Sequence, residues 1–171
     1  MILVVAGVAG CGKTTVGKLV AKRLGWAFAD GDDFHPPANV AKMHAGEPLT
    51  DDDRWPWLQA IVAWMDARAA AGESAVVACS ALRCSYREVL LNAAAHPRMV
   101  FLTVDHDADE ARVGHRPGHF FPAGLLDSQF AALELPCPPE PVPLVPASGT
   151  PEQTADAVMQ AAGLAPDHPA S

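Results

Sequence analysis

The chain has 171 residues, of which half are hydrophobic and 19% are charged, and its formal net charge is −8. That length gives one domain with a substantial core and is too short for two. The acidic balance argues against a nucleic-acid or membrane-surface partner, since both attract a basic face. No apolar run approaches the length of a transmembrane helix, and the run Ile2–Ala6 lacks the basic flank of a signal peptide. We therefore expect a cytoplasmic protein.

The cysteines form no Cys-x-x-Cys pair and no metal-ligand spacing with histidine. A disulfide framework is not expected in a domain of this size and composition. Cys11 lies in a glycine-rich segment close to a predicted helix N-terminus, which could lower its pKa. It is either a reactive thiol or a small filler residue.

The first predicted element is the strand Ile2–Ala6, followed by a glycine-rich loop and an amphipathic helix that ends at Gly25. The loop has the P-loop pattern of Gly, four residues and Gly-Lys-Thr, and consists of Gly7, Val8, Ala9, Gly10, Cys11, Gly12, Lys13 and Thr14. Its glycines allow backbone N–H groups to converge on phosphate oxygens at the helix N-terminus. Lys13 is expected to reach the outer phosphates, and the Thr14 hydroxyl to hold Mg²⁺. The alternative is a glycine-rich turn with no ligand, but the flanking strand and helix favour a nucleoside triphosphate site.

The later elements alternate between strands and helices, which predicts a parallel sheet with helices on both faces. Further strands are predicted at 26–29, 75–79, 99–104 and 142–145, the last as an edge strand because prolines surround it. Helices are predicted at 39–45, 51–71, after residues 80–83 with 89–91 on its buried side, from 107 onward, at 125–133 and from the N-cap Thr150 to Gly163. We expect one three-layer α/β domain over residues 1–164, with a lid segment at about 112–124 and a flexible tail at 165–171.

Acidic residues follow the second predicted strand, at the edge of the sheet where α/β folds bind ligands. Asp30 and Asp32 are candidates to assist Mg²⁺ and to accept a proton from a substrate hydroxyl. The alternative is a solvated surface loop, which the nearby phosphate loop makes less favoured. The chain has neither the Asn-Lys-x-Asp run of guanine-binding switches nor an apolar strand ending in Asp-Glu, as in hydrolytic motor ATPases. These absences favour a kinase.

Two groups of cations complete the predicted site. The first group follows strand and helix junctions on the ligand side and consists of Arg54, Arg83 and Arg87. The planar guanidinium group of arginine can donate two parallel hydrogen bonds to a carboxylate, so these residues suit a small anionic substrate. Each of them alone could also be a surface charge. The second group lies in a segment rich in glycine and proline and consists of Arg112, Arg116 and His119. The two arginines are predicted to close over the phosphates, while the histidine is either packed or functional.

Several runs together resemble the gluconate kinase (gluconokinase) family of shikimate-kinase-like P-loop kinases. The runs lie in family order at 30–36, 46–58, 79–87, 118–121 and 128–134, with Asn39 and Lys42-Met43 after the first. The P-loop is generic, whereas the His-Pro, Asp-Asp-Arg-x-Pro-Trp-Leu and His-Phe-Phe runs are specific to this family. The resemblance covers residues 2–136.

The resemblance implies phosphoryl transfer from ATP to the 6-hydroxyl group of D-gluconate, with Mg²⁺ and in a homodimer. It implies that Asp32 acts as the base and that Asp30 lies near Mg²⁺. The implied substrate contacts are Asp32, His35, Arg54, Arg83 and His119, and the implied lid arginines are Arg112 on ATP and Arg116 in catalysis.

The chain departs from the family after Leu135, where a proline-dense stretch at 136–146 replaces a regular valine-rich strand. Contacts with the nucleotide base are therefore not carried over, and Pro117 is a second departure, within the predicted lid. Two alternatives stay open: a kinase for another small hydroxy acid, such as shikimate, and a catalytically weak nucleotide-binding protein.

Overall fold

The structure, a computed structural model, describes residues 1–104 and 123–164. Its strands are β1 Ile2–Ala6, β2 Ala27–Asp30, β3 Ala75–Cys79, β4 Arg98–Thr103 and β5 Leu144–Pro146. They form one parallel sheet in the order β2-β3-β1-β4-β5, so β1 lies at its centre. The predicted five-stranded parallel sheet is confirmed.

The two inner strands β1 and β3 are buried along their whole length. They pair in parallel from Ile2 opposite Ala75 to Ala6 opposite Cys79. Both strands are continuous apolar runs, because helices cover both faces of a parallel sheet and leave no face for polar side chains. The hydrophobic core is therefore built around these strands.

Six helices pack around the sheet in the described residues: α1 Lys13–Leu24, α2 Pro37–His44, α3 Asp51–Ala70, α4 Cys84–Leu91, α5 Ala123–Ala132 and α6 Pro151–Ala161. Helix α1 packs against α6, and α3 packs against α4. The predicted ends differ from the observed ones by at most two residues, and the helix predicted from 107 lies outside the described residues. No helix within 1–104 or 123–164 is both long and apolar enough to cross a membrane.

Local capping signals fix several of these helix ends. The Thr150 side chain accepts a hydrogen bond from the Gln153 backbone N–H and the Gln153 side chain accepts one in return, which confirms the predicted start of α6. Thr50 and Asp53 form the same capping box at the start of α3. This second cap sets the first turn of α3, which carries Arg54.

The proline-dense stretch supplies the short strand β5 at the edge of the sheet, as predicted. Proline has no N–H to donate, but its carbonyl group still accepts, and Pro143 O takes a hydrogen bond from Phe101 N at 3.0 Å. At the other end of β5, the Ala147 N–H donates to Thr103 O of the same neighbouring strand at 2.9 Å. An edge position tolerates the prolines because only one side of the strand has to pair.

Candidate active site

The carboxyl ends of β1, β2 and β3 meet at one edge of the sheet and surround a pocket. This pocket encloses about 1130 Å³ of empty space, part of it open to solvent. The predicted site residues that line it are Ala9, Gly10, Gly12, Lys13, Thr14, Asp30, Asp32, His35 and Arg54. Residues from three separated segments therefore share one cavity, as expected for loops that follow neighbouring parallel strands.

The phosphate loop runs from β1 into the N-terminus of α1. Gly7 has φ 146°, and a Cβ atom there would lie 2.7 Å from Cys11 Sγ, so only glycine fits. Gly12 is the N-cap of α1 with φ 100°, in the left-handed region. Lys13 Nζ donates to Val8 O at 2.6 Å, which holds the ammonium group against the loop. Cys11 is only 2% exposed, which supports the packing interpretation over a reactive thiol.

Thr14 and Asp30 place two side-chain oxygen atoms next to each other at the start of α1. Thr14 Oγ1 donates to Asp30 Oδ2 at 2.7 Å, and Asp30 Oδ1 accepts from the Asp32 N–H at 3.0 Å. Mg²⁺ prefers such hard oxygen donors and needs only one or two carboxylates beside substrate phosphates. In the part of the chain that the structure describes, no three His, Cys, Asp or Glu side chains gather as a metal cluster. The donor set therefore fits a phosphate-linked Mg²⁺ and not an all-protein cage.

Asp32 lies in the 3₁₀ turn 31–34 and lines the pocket. The residue as a whole is exposed, but the atoms around its carboxyl group desolvate that group and raise its pKa above the ordinary value. The Lys13 charge opposes this rise, and the charges of Asp30 and Asp33 add to it. A poorly solvated carboxylate accepts a proton more readily, which suits the predicted role as a base.

His35 is held at the pocket wall by Trp57 and Asn39. Its ring stacks on the Trp57 indole, with ring centres 4.4 Å apart and planes 12° apart. The buried Trp57 donates from Nε1 to Gly31 O at 2.7 Å, which fixes the stacking partner. Desolvation first, and the Arg54 charge second, lower the pKa of His35 to about 4. His35 is therefore neutral near pH 7.

Arg54 reaches the same pocket from the first turn of α3. Its Nη1 donates to Leu49 O and lies 3.4 Å from the Tyr86 hydroxyl oxygen. The guanidinium carbon lies 5.5 Å from the centre of the Tyr86 ring, and the Tyr86 hydroxyl donates to Asp51. These contacts hold a planar cation at the wall of the pocket, a suitable group for binding a carboxylate.

The other two predicted arginines do not line this pocket. Arg83 pairs with Asp51, with Nη1 and Oδ2 3.4 Å apart, and stays a predicted substrate contact. Arg87 is completely buried, and its Nε and Nη2 bind the Glu140 carboxylate at 2.7 and 2.9 Å. Its Nη1 also donates to the backbone oxygens of residues 81 and 82. The interpretation of Arg87 as a substrate contact is therefore wrong, because this arginine anchors the proline-dense stretch to the loop after β3.

The predicted lid lies almost entirely outside the described residues. Its candidate side chains therefore stay predictions, and they are Arg112, Arg116 and His119. The last two residues of the predicted lid, Ala123 and Gly124, begin helix α5.

Gln129 on α5 contacts the phosphate loop, although no role was predicted for it. Its Oε1 accepts a hydrogen bond from the Ala9 N–H at 2.7 Å, and its side chain lines the pocket. The family resemblance included the run 128–134 but assigned no function to it. The two residues are 120 positions apart, so no local periodicity indicates their contact.

A second cavity lies beside the phosphate loop, between the ends of β4 and β5 and helix α5. Its lining is mostly apolar and includes Val8, Thr103, Val104, Phe130, Leu133, Pro146, Ala147 and Ser148. The cavity borders the phosphate loop, because Val8 of that loop forms part of its wall. The proline-dense departure from the family therefore supplies part of this wall.

Known proteins match this chain over most of its length. The family model for shikimate kinase matches residues 9–120. The gluconokinase of Gluconobacter oxydans (strain 621H) is 50% identical over 140 residues, which cover 82% of this chain and 79% of that protein. The chain belongs to the gluconokinase family. This membership confirms the resemblance inferred from the His-Pro, Asp-Asp-Arg and His-Phe-Phe runs.

Two solved structures support the place of this chain in the gluconokinase family. An unliganded sugar kinase from Janibacter sp. HTCC2649 is 43% identical, with a TM-score of 0.90 over 96% of this chain and 95% of that one. A gluconokinase from Sinorhizobium meliloti 1021 is 40% identical, with a TM-score of 0.85 over 94% of this chain and 90% of that one. Both confirm the predicted P-loop kinase fold.

Proposed function

We propose that this protein is a gluconokinase, which transfers the γ-phosphoryl group of ATP to the 6-hydroxyl group of D-gluconate. The products are ADP and 6-phospho-D-gluconate. The observation that carries the proposal is a single pocket that joins the phosphate loop to Asp32, His35 and Arg54. The gluconokinase of Gluconobacter oxydans, which is 50% identical in sequence over most of both chains, supports gluconate as the acid substrate.

The phosphate loop binds and orients the triphosphate of ATP. The backbone N–H groups at the N-terminus of α1 and the Lys13 ammonium group supply the positive potential that outer phosphates require. As the γ-phosphoryl group leaves, negative charge moves toward the β-phosphate oxygens, where Lys13 stabilises it. The Gly7 and Gly12 backbones make this close approach possible.

Thr14 and Asp30 are the residues that would hold Mg²⁺, which neutralises phosphate charge when it is bound. Their hydrogen bond of 2.7 Å, which places the two oxygen atoms side by side, supports this assignment. The Asp30 carboxylate also accepts a hydrogen bond from the Asp32 N–H. This bond holds the proposed metal ligand, Asp30, close to the proposed base, Asp32.

Asp32 accepts the proton of the substrate hydroxyl group while the hydroxyl oxygen forms its bond to the γ-phosphorus. The bond between that phosphorus and the bridging oxygen of ADP breaks in the same displacement. Desolvation raises the pKa of Asp32 and makes its carboxylate a better proton acceptor, and the Lys13 charge opposes this rise.

Arg54 and His35, which line the pocket together with the phosphate loop, bind the acid. The planar guanidinium group suits the carboxylate of gluconate, and the neutral imidazole suits its hydroxyl groups. Arg83 is a second contact in this proposal, adjacent to Arg54 through the Asp51 and Tyr86 hydrogen bonds.

The remaining parts of the proposal concern the nucleotide base, the lid and the assembly. The apolar second cavity beside Val8 is where we place the adenine ring, because flat aromatic bases favour apolar walls. Arg112 and Arg116 are assigned to closure over the phosphates, and His119 to the acid, from the resemblance alone. Homodimer assembly and a cytoplasmic location also stay predictions.

Initial rates with ATP and a panel of sugar acids and hydroxy acids test the proposed function. We expect kcat/KM for D-gluconate to exceed that for shikimate and for shortened or epimeric sugar acids. A higher value for shikimate would point to the other acid kinase, and no turnover on any acceptor would point to a nucleotide-binding protein.

A further inference from the structure

Asn39 is a buried polar residue on α2 that lies behind the pocket wall. It is 2% exposed, and it does not line the pocket itself. Its Nδ2 donates to the backbone oxygen of Asp53 at 2.8 Å and lies 3.2 Å from Nδ1 of His35. Asn39 therefore connects the start of α3 to the histidine at the pocket.

The orientation of the Asn39 amide follows from these two contacts. A backbone carbonyl oxygen can only accept, so the atom of Asn39 that faces Asp53 O must be the amide nitrogen. That nitrogen has two hydrogens, and the second is directed to Nδ1 of His35. A nitrogen that accepts a hydrogen bond has no proton, and the ring proton must then be on Nε2.

The orientation of the His35 ring is fixed by its neighbours. Trp57 covers one face of the ring at 4.4 Å with nearly parallel planes, and Trp57 is itself held by Gly31. A ring flip would place a carbon atom against the Asn39 amide and leave a buried donor unpaired, which is costly. Stacking and hydrogen bonding thus select one orientation together.

We infer that Asn39 is a positioning residue that holds His35 as the Nε2–H tautomer, so that His35 donates a hydrogen bond to a hydroxyl oxygen of the acid substrate. The tautomer is a property of the protein alone, whereas its use in binding the acid rests on the proposed function. Nε2 is the polar atom left for a ligand, because Nδ1 is occupied by Asn39 and His35 lines the pocket.

The tautomer is measured directly by long-range ¹H–¹⁵N correlation spectra of uniformly labelled protein near neutral pH without substrate. The His35 signals are assigned by their loss in His35→Gln. We expect Nε2 to be protonated and Nδ1 to be unprotonated. A protonated Nδ1, or two protonated nitrogens, would overturn the inference whatever the activity of the enzyme.

Asn39→Asp tests the cause of the tautomer. An aspartate accepts from Nδ1–H, so we expect the proton of His35 to move from Nε2 to Nδ1. The KM for gluconate is expected to rise about tenfold, the effect of one lost hydrogen bond, while the KM for ATP changes less than about twofold. A folded Asn39→Asp protein that keeps the Nε2–H tautomer and the wild-type KM for gluconate would overturn the inference.

Thr154→Val is the matched control, since Thr154 is also a buried polar residue that bonds a backbone oxygen, that of Thr150. It lies on α6, away from the pocket. We expect it to lower the thermal midpoint and leave both the tautomer and the KM for gluconate unchanged. If wild-type protein shows the expected tautomer but no activity on gluconate, the proposed function fails while the assigned tautomer holds.

Discussion

The backbone N–H of Ala9 donates to Oε1 of Gln129 at 2.7 Å and so joins the phosphate loop to helix α5. Ala9 lies in the loop between β1 and α1, and both residues line the same pocket. The contact gives a backbone donor of the loop a fixed partner. Since α5 begins at Ala123, within the last two residues of the predicted lid, the contact also links the loop to the helix that continues from the lid.

Replacing Gln129 tests whether this contact supports catalysis. Gln129→Met keeps the length of the side chain and removes the acceptor for the Ala9 N–H. We expect kcat/KM for ATP to fall about tenfold, the loss of one hydrogen bond at a functional loop. The control is Gln160→Met at an exposed position on α6, which we expect to be silent. Equal kinetics for the two variants would mean that the contact with Ala9 does not contribute.

Lys13→Ala tests the assignment of the phosphate loop. Lys13 Nζ contacts Val8 O at the pocket and not the core, so the variant is expected to fold. We expect kcat to fall by about 100-fold or more, as for removal of one group that stabilises transition-state charge. Turnover and thermal midpoint are measured together, with Lys22→Ala on the same helix as control. Near-normal turnover of a folded Lys13→Ala protein would contradict the role of the phosphate loop in catalysis.

Arg54→Lys tests which ligand the guanidinium group binds. Lysine keeps the charge but loses the planar fork, so the KM for gluconate is expected to rise about ten- to a hundredfold with little change in the KM for ATP. Arg68→Lys is the control, because Arg68 lies on the same helix and pairs with Glu73 outside the pocket. If only the KM for ATP rises, Arg54 binds the nucleotide and not the acid.

Asp32→Asn tests the proposed base. We expect kcat to fall about 100- to 10,000-fold, the usual contribution of a general base. Asp33→Asn is the matched control, since Asp33 is the next residue in the same turn and does not line the pocket. If Asp32→Asn keeps most of its kcat, another group takes the proton.

The same variant has an expected effect on stability. The pKa of Asp32 is raised in the folded protein above its ordinary value of 3.8, so the folded state binds this proton more tightly than the unfolded state. The resulting stabilisation is complete below pH 3.8 and is lost as the pH rises through the folded pKa. The thermal midpoint of Asp32→Asn relative to wild type is therefore expected to increase with pH over this range. A constant difference would contradict the raised pKa.

Local patterns in the sequence predicted the strands and the helix ends well, because their causes are local. The apolar run Ile2–Ala6 is a central strand, and Thr150 with Gln153 forms the predicted capping box. The phosphate loop can be predicted for the same reason, since its phosphate-binding groups all lie within eight consecutive residues.

Contacts between distant residues could not be predicted in this way. The sequence places Arg87 beside Arg54 as a cation that follows an element junction, but its partner Glu140 is 53 positions away in a stretch without periodicity. The buried pair decides the orientation of Arg87, and nothing near Arg87 in the sequence indicates it. The same holds for Gln129, because its contact with Ala9 depends on how α5 returns to the sheet and not on the sequence around either residue.

The central claim is phosphoryl transfer to one oxygen of gluconate, and the most direct measurement is the structure of the product. The enzyme is incubated with ATP, Mg²⁺ and ¹³C-labelled D-gluconate, and phosphorus and carbon NMR spectra are recorded as ATP is consumed. We expect one phosphate monoester, on the oxygen of C6, formed in equal amount with ADP. A phosphate on another oxygen, or ADP formed without any ester, would contradict the account.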